Sequence, residues 1–216
     1  MQKHEIVILI PCYNEEKTIL NVCKAAKKFA EVLVVDDAST DNTKKILEKN
    51  RVKFISNSTN QGYEKNLING FKFIIKNLKK KKYVLTLDAD GEFSENSISK
   101  LISLMKRKNS DLVIGKRSKF NRFSERLLNF IFFKKFKISD PVSGLKIYKI
   151  KFLRKTIKEL SYSMFLVDLV CMFKKMNLAV ENTEVLVEKR LDNSRVGNYL
   201  TSNLKILKIT FQAIIF

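Results

Sequence analysis

The chain has 216 residues, 45% hydrophobic and 30% charged, which suits one large or two small domains with a real core and excludes a disordered or fibrous chain. Lys and Arg number 42 against 22 Asp and Glu, a formal +20 that favours polyanionic partners such as nucleic acid, an anionic membrane surface or phosphorylated substrates. Three cysteines without metal-ligand spacing and a single histidine, His4, exclude a zinc site and read as reduced thiols. The first residues run directly into a strand pattern, so no signal peptide is expected. No apolar run approaches the roughly 20 residues needed to cross a bilayer.

Strand and helix signals alternate over residues 1–115. EIVILI (5–10) predicts a strand and Asn14-Glu15-Glu16 opens a helix to about Phe29. VLVVDD (32–37) is the second strand, and Ser39-Thr40-Asp41 caps a helix to Glu48. VKFIS (52–56) is followed by a helix from about Gly62 to Leu78, and YVLTLD (83–88) by one from Ser94 to Arg107. DLVIG (111–115) is the fifth strand. Apolar strands separated by amphipathic helices predict an α/β fold with a parallel sheet covered on both faces.

Between Lys116 and Lys158 there are 14 Lys or Arg and two acids, Glu125 and Asp140. On a helix over 118–133, Phe120, Phe123, Leu127, Phe130 and Ile131 share one face and Lys119, Arg122, Arg126 and Asn129 the other. SGLKIY (143–148) predicts a strand, 165–176 a helix and 179–190 another strand. The chain closes on an amphipathic stretch that aligns Leu200, Leu204, Leu207, Phe211, Ile214 and Ile215.

Ligands of such sheets sit at the carboxyl ends of the strands. The polar clusters fall there: Pro11–Glu16, Asp36-Asp37 and Asp88–Glu92. Three carboxylates crowded at a strand end repel one another unless a cation joins them. Asp88 and Asp90, two residues apart in extended chain, point the same way and can clamp one Mg²⁺ or Mn²⁺ with substrate phosphates completing the shell. The bland alternative for each acid is a solvated turn or a helix cap.

Seven segments in order resemble glycosyltransferase family 2 enzymes of the GT-A fold, in the branch that glycosylates polyprenyl or dolichyl phosphate. They are VILIPCYNEE (7–16), VVDDASTDNT (34–43), the N-x-G and N-G pieces of 60–70, LDADGE (87–92), IGKR (114–117), DPVSGLKIY (140–148) and the basic 190–197. The resemblance implies a Rossmann-like nucleotide-binding sheet with helices on both faces and basic amphipathic helices toward the C-terminus. One domain would cover 1–197, with a nucleotide-sugar half at 1–115 and an acceptor half at 116–197, and 198–216 would be an amphipathic helix.

It also implies roles. Pro11, Tyr13 and Glu15 would line the nucleoside pocket and Asp37 would accept a hydrogen bond from the base. Asp88-Ala89-Asp90 would meet the nucleotide sugar, with Asp88, Asp90 and Glu92 holding the divalent cation (Mg²⁺ or Mn²⁺). Arg190 and Arg195 would neutralise the leaving diphosphate, or form a solvated basic loop. Asp140 or Asp168 would be the catalytic carboxylate, Asp140 preferred beside the Ser-Gly motif. Arg117, Arg122, Arg126 and Ser143 would take the phosphate of the acceptor.

The expected activity is inverting transfer of a sugar from a nucleotide-diphosphate donor to a lipid phosphate, on the cytoplasmic face of a membrane. The Phe-rich face of 118–133 would enter the headgroup boundary, or pack on the core with a solvated basic face. Rival readings are a family 2 transferase with a glycan or soluble acceptor and, more distantly, a basic nucleic-acid-binding protein. The last lacks any recognisable binding module, and acids at the strand ends would repel a phosphate backbone.

Overall fold

The computed structural model describes residues 1–120, 122–157, 165–188 and 206–207. β1 (Ile6–Cys12) is buried along its whole length, as a strand in the middle of a two-sided sheet must be. Side chains alternate across the pleat: Val7 and Leu9 enter one core, Ile6, Ile8 and Ile10 the other. α1 (Ile19–Lys27) buries Ile19, Val22, Cys23 and Ala26, one stripe at helical spacing. β2 (Glu31–Asp36), α2 (Thr43–Lys49), β3 (Phe54–Ser56), α3 (Tyr63–Asn77), β4 (Tyr83–Thr86), α4 (Glu95–Lys108) and β5 (Leu112–Arg117) follow in the expected alternation.

α5 (Phe123–Phe136), β6 (Lys146–Lys149), α6 (Ile150–Thr156), α7 (Phe165–Lys175) and β7 (Val180–Val185) complete the described elements. α3, α5, α6 and α7 cover one face of the sheet, while α1, α2 and α4 cover the other. Gly70 lets α3 lie on the sheet, since a Cβ there would come within 2.4 Å of Leu9. Pro11 lies past the last bond between β1 and β4, from the Leu87 N–H to the Leu9 carbonyl, so its missing donor breaks no ladder.

The strand order is β3-β2-β1-β4-β6-β5-β7. The five strands of residues 1–115 all run parallel as expected; β6, whose direction the sequence left open, runs antiparallel to both β4 and β5 and separates them. Apolar strands buried on both faces look alike in either direction, so composition carried no sign of the reversal. α6 was not foreseen, because only seven residues separate the strand from the next break in pattern.

α5 starts later than the expected 118, and of the two placements left open for its Phe-rich face it takes the one away from the core. Its buried side chains are Ser124, Glu125, Leu128 and Phe132, whereas Phe123 is 73% and Phe130 58% exposed. The Phe-rich face faces solvent, and a second apolar pair, one turn apart, faces the core. Among the described residues no helix is long and apolar enough to cross a membrane. The expected C-terminal helix at 198–216 lies outside the described residues apart from Ile206 and Leu207.

Candidate functional site

The loops after β1, β2 and β4 meet at one edge of the sheet. The chain does not enter α1 at Asn14 as expected. Asn14 takes a left-handed backbone (φ 55°), and its side-chain oxygen accepts the Thr40 N–H at 2.7 Å. Its own N–H donates to Ser39 Oγ at 2.9 Å, and the Glu16 N–H donates to Asp41 at 3.1 Å. Asn42, and not the expected Ser39-Thr40-Asp41, precedes α2, although Asp41 Oδ1 accepts the Thr43 N–H at 2.9 Å. The first two loops are thus stitched to each other. Glu15 is buried within them, its carboxylate accepting the Thr18 hydroxyl at 2.8 Å. Pro11 is buried and Tyr13 half-buried at the same edge.

Asp37 is 2% exposed. Its oxygens accept Asn57 Nδ2 at 2.7 Å, the Gln61 N–H at 3.0 Å and the Gly62 N–H at 2.8 Å. It therefore caps no helix after β2; it ties down the 57–62 loop that leads into α3. A carboxylate has about four acceptor sites, so a further donor can still be met.

β4 ends at Thr86, and beyond Asp88 the chain turns at Ala89-Asp90, with Gly91 at φ +79°. The pleat argument for Asp88 and Asp90 therefore does not apply; a turn brings the two acids near each other. Burial and the Asp90 charge raise the Asp88 carboxyl from 3.8 to about 7. Tyr63, at the start of α3, donates its hydroxyl to Asp88 Oδ1 at 2.8 Å. Asp88 Oδ2 lies where a Cβ on Gly144 would stand, 2.0 Å away from that ideal position. Ala89 is buried between the two acids and Glu92 is half-buried beyond them.

Among the described residues no three His, Cys, Asp or Glu side chains form a ready cation cage, so Glu92 does not stand with the pair as a third converging ligand. Asp88 and Asp90 nevertheless fit a divalent cation. Their mutual repulsion is what a cation relieves, and Mg²⁺ usually takes only one or two protein carboxylates.

Beside this pair lies a buried ionic network that changes several expected roles. Arg117 Nε donates to Asp140 Oδ2 at 2.8 Å and its terminal nitrogen to Oδ1 at 2.9 Å. Burial opposes the guanidinium charge, yet the hydrogen bonds and charge of Asp140 raise its pKa. Asp140 is fully buried with a left-handed backbone (φ 52°), and both oxygens accept from Arg117, so in this structure the expected catalytic carboxylate anchors a loop. Arg117, expected to receive a phosphate, is an ion-pair partner in this structure, and the terminal nitrogen that bonds Asp140 also lies 3.5 Å from Glu125 Oε2.

Ser143 is fully buried and its hydroxyl oxygen accepts the Leu145 N–H at 3.2 Å, so it is no surface donor to an acceptor. Arg122 lies 3.5 Å from Glu125 Oε1, while Arg126 is exposed. Asp168 is half-buried on α7, where burial raises its pKa. Arg190 and Arg195 lie outside the described residues.

Three residues went unnoticed in the sequence. Lys146 is fully buried on β6 and donates to the Ser143 carbonyl; burial lowers its ammonium to about 7 despite the attraction of Asp140 and Asp88. The signal was available, since a lysine two residues before Tyr148 must share its inward face. Glu125 could have been suspected as one of two acids in a basic segment. Nothing local in the sequence pointed Tyr63 at Asp88.

The family model described as "Glycosyl transferase family 2" matches residues 7–170. An uncharacterized protein of Methanocaldococcus jannaschii is 27% identical over 99% of this chain and 94% of its own length. A second one from that organism is 39% identical over 52% of each chain. The UDP-N-acetylglucosamine–dolichyl-phosphate N-acetylglucosaminyltransferase of Methanococcus voltae is 30% identical over 53% of this chain and 52% of its own. The chain thus spans about half the length of the last two. The solved glucosyl-3-phosphoglycerate synthase of Mycobacterium tuberculosis, in complex with Mn²⁺, UDP-glucose and phosphoglyceric acid, superposes with a TM-score of 0.74. It is 16% identical over 97% of this chain and 79% of that one, a likeness of fold.

Proposed function

Because the chain belongs to glycosyl transferase family 2, we propose that it moves a sugar from a nucleotide-diphosphate donor to a lipid phosphate, with inversion at the anomeric carbon. The observation that carries the donor half is the Asp88/Asp90 pair at the carboxyl edge of the sheet, with Asp88 raised to about 7. Asp88 and Asp90 would hold a Mg²⁺ or Mn²⁺ ion, with Glu92 near enough in sequence to be recruited once phosphates arrive. Such an ion neutralises charge on the diphosphate as it leaves. Asp37 and the loop it organises would receive the nucleoside, beside Pro11, Tyr13 and Glu15. Arg190 and Arg195 would meet the diphosphate.

The acceptor half rests on Asp140. With both oxygens bonded to Arg117, the carboxylate beside the Ser-Gly loop is poorly placed to take a proton. A phosphate acceptor needs none taken, since it is already ionised near neutral pH. The chain's task then reduces to positioning the two phosphates and their charge. The Methanococcus voltae relative is named for a dolichyl-phosphate acceptor, which favours this reading. The Mycobacterium synthase binds soluble phosphoglyceric acid, and a small phosphorylated acceptor is the second reading.

A lipid acceptor requires attachment to a membrane surface, on the side that holds cytosolic nucleotide sugars. Phe123, Phe130 and Phe133 are exposed on α5, with Lys134 over the Phe130 ring and Lys137 over the Phe133 ring. Aromatics ringed by lysine suit the headgroup boundary of an anionic leaflet.

Thermal shift with UDP- and GDP-sugars, with and without Mn²⁺, tests the donor, followed by transfer to polyprenyl phosphate and to phosphoglyceric acid. Metal-dependent stabilisation by a nucleotide sugar, lost in Asp90→Asn, is expected. Full activity of that variant in EDTA would sink the donor reading. Transfer only to the soluble acid would overturn the lipid acceptor.

A further inference from the structure

We propose that Tyr63 is a positioning residue for the cation site, fixing the orientation of the Asp88 carboxylate; this rests on the reading of Asp88 and Asp90 as cation ligands. The Tyr63 hydroxyl donates to Asp88 Oδ1 at 2.8 Å across 25 residues of sequence. Its ring packs against the same core that α3 covers, so the hydroxyl is held from behind. The same carboxylate lies against Gly144, with Oδ2, Oδ1 and Cγ 2.0, 2.3 and 2.4 Å from the ideal position of a Cβ there. Bare backbone therefore closes the space that any other residue would fill. A carboxylate gripped at Oδ1 by a hydroxyl, with bare backbone lying across both of its oxygens, offers a cation one orientation.

Tyr63 itself is placed by the neighbouring loop. Gly62, at φ +86°, turns the chain into α3, and its N–H is bonded to Asp37 Oδ2 at 2.8 Å. The chain of contacts runs from Asp37 at the end of β2, through the Gly62 amide and Tyr63, to Asp88 after β4. The acid expected at the nucleoside and the acid expected at the cation are thus joined by one dipeptide. Outer-shell donors of this kind set metal affinity by orienting the ligand, typically by about 10–100-fold.

The variant that separates the hydroxyl from the ring is Tyr63→Phe. Titrating Mn²⁺ in the presence of UDP, with free Mn²⁺ followed by electron paramagnetic resonance, should show an apparent Kd about 10-fold weaker than wild type. The melting temperature without metal should change little, because the ring still packs. In an Asp88→Asn background the same substitution should add less than about twofold, since the group it orients has lost its charge. Equal Mn²⁺ affinity in wild type and Tyr63→Phe overturns the inference and leaves the cation site standing. A wild-type protein that binds no Mn²⁺ with UDP overturns the cation site, and the inference with it. A loss in Tyr63→Phe that persists undiminished in the Asp88→Asn background assigns it to general disturbance and also overturns the inference.

Discussion

Arg117 and Asp140 meet through two parallel hydrogen bonds of 2.8 and 2.9 Å, and the Arg117 backbone N–H adds a third at 3.0 Å. Asp140 is wholly buried, so removing either partner strands the other charge away from water. Asp140→Asn or Arg117→Met alone should cost about 3–5 kcal/mol of stability in urea denaturation. The pair Arg117→Met with Asp140→Leu should recover most of that loss. Were Asp140 instead a catalytic base, Asp140→Asn would keep its stability and lose only kcat.

For Asp37, alanine removes the acceptor of two backbone N–H groups and the Asn57 amide. Losing these part-buried hydrogen bonds to a carboxylate should cost about 1–3 kcal/mol. If the 57–62 loop shapes the nucleoside pocket, the KM for the nucleotide sugar should rise several-fold in the folded variant with kcat nearly constant. An unchanged KM would confine Asp37 to loop anchoring.

Lys146 gives a pH signature. Its folded value is about 7, below its ordinary 10.5, because burial disfavours the charge. Between those values the unfolded chain carries a proton that the folded chain lacks, so stability falls as pH drops from 10.5 to 7 and the full cost remains below. Lys146→Met should therefore raise Tm most at pH 6, by roughly 5 °C, with the advantage shrinking toward pH 10. A gain independent of pH would show that Lys146 is not neutralised by burial.

The exposed phenylalanines of α5 predict vesicle binding. Burying such a side chain is worth about 1.5–3 kcal/mol, and each nearby lysine adds roughly 1 kcal/mol at an anionic leaflet. The protein should sediment with anionic liposomes and be released in part by high salt. Phe123→Glu with Phe130→Glu should abolish most of this while Mn²⁺ and UDP binding persist. Wild type remaining in the supernatant at low salt would refute the membrane surface.

Much of this site was legible as sequence because it follows strand ends. Asp37, Asp88 and Asp90 stand at the carboxyl edge because apolar runs stop there, and a parallel β1–β2–β4 core aligns those stops. What a side chain touches across the sheet was not legible. The pairing of Asp140 with Arg117 spans 23 residues and depends on β6 running antiparallel. The Tyr63–Asp88 bond depends on where α3 lies across β1 and β2. The exposure of Phe123 and Phe130 depends on Leu128 and Phe132 winning the core-facing side, and periodicity in so apolar a helix does not say which stripe prevails.

The reversed β6 also governs the order in which the chain can be finished during synthesis. β4 needs a partner that emerges about 60 residues later, a delay of some seconds at roughly 5–20 residues per second. Through that interval β4 keeps a raw backbone edge, next to a carboxylate pair. An unpaired edge invites pairing with another nascent chain. The ribosome-bound first half would thus be the species most in need of a chaperone, and versions cut before β6 should aggregate where the longer chain does not.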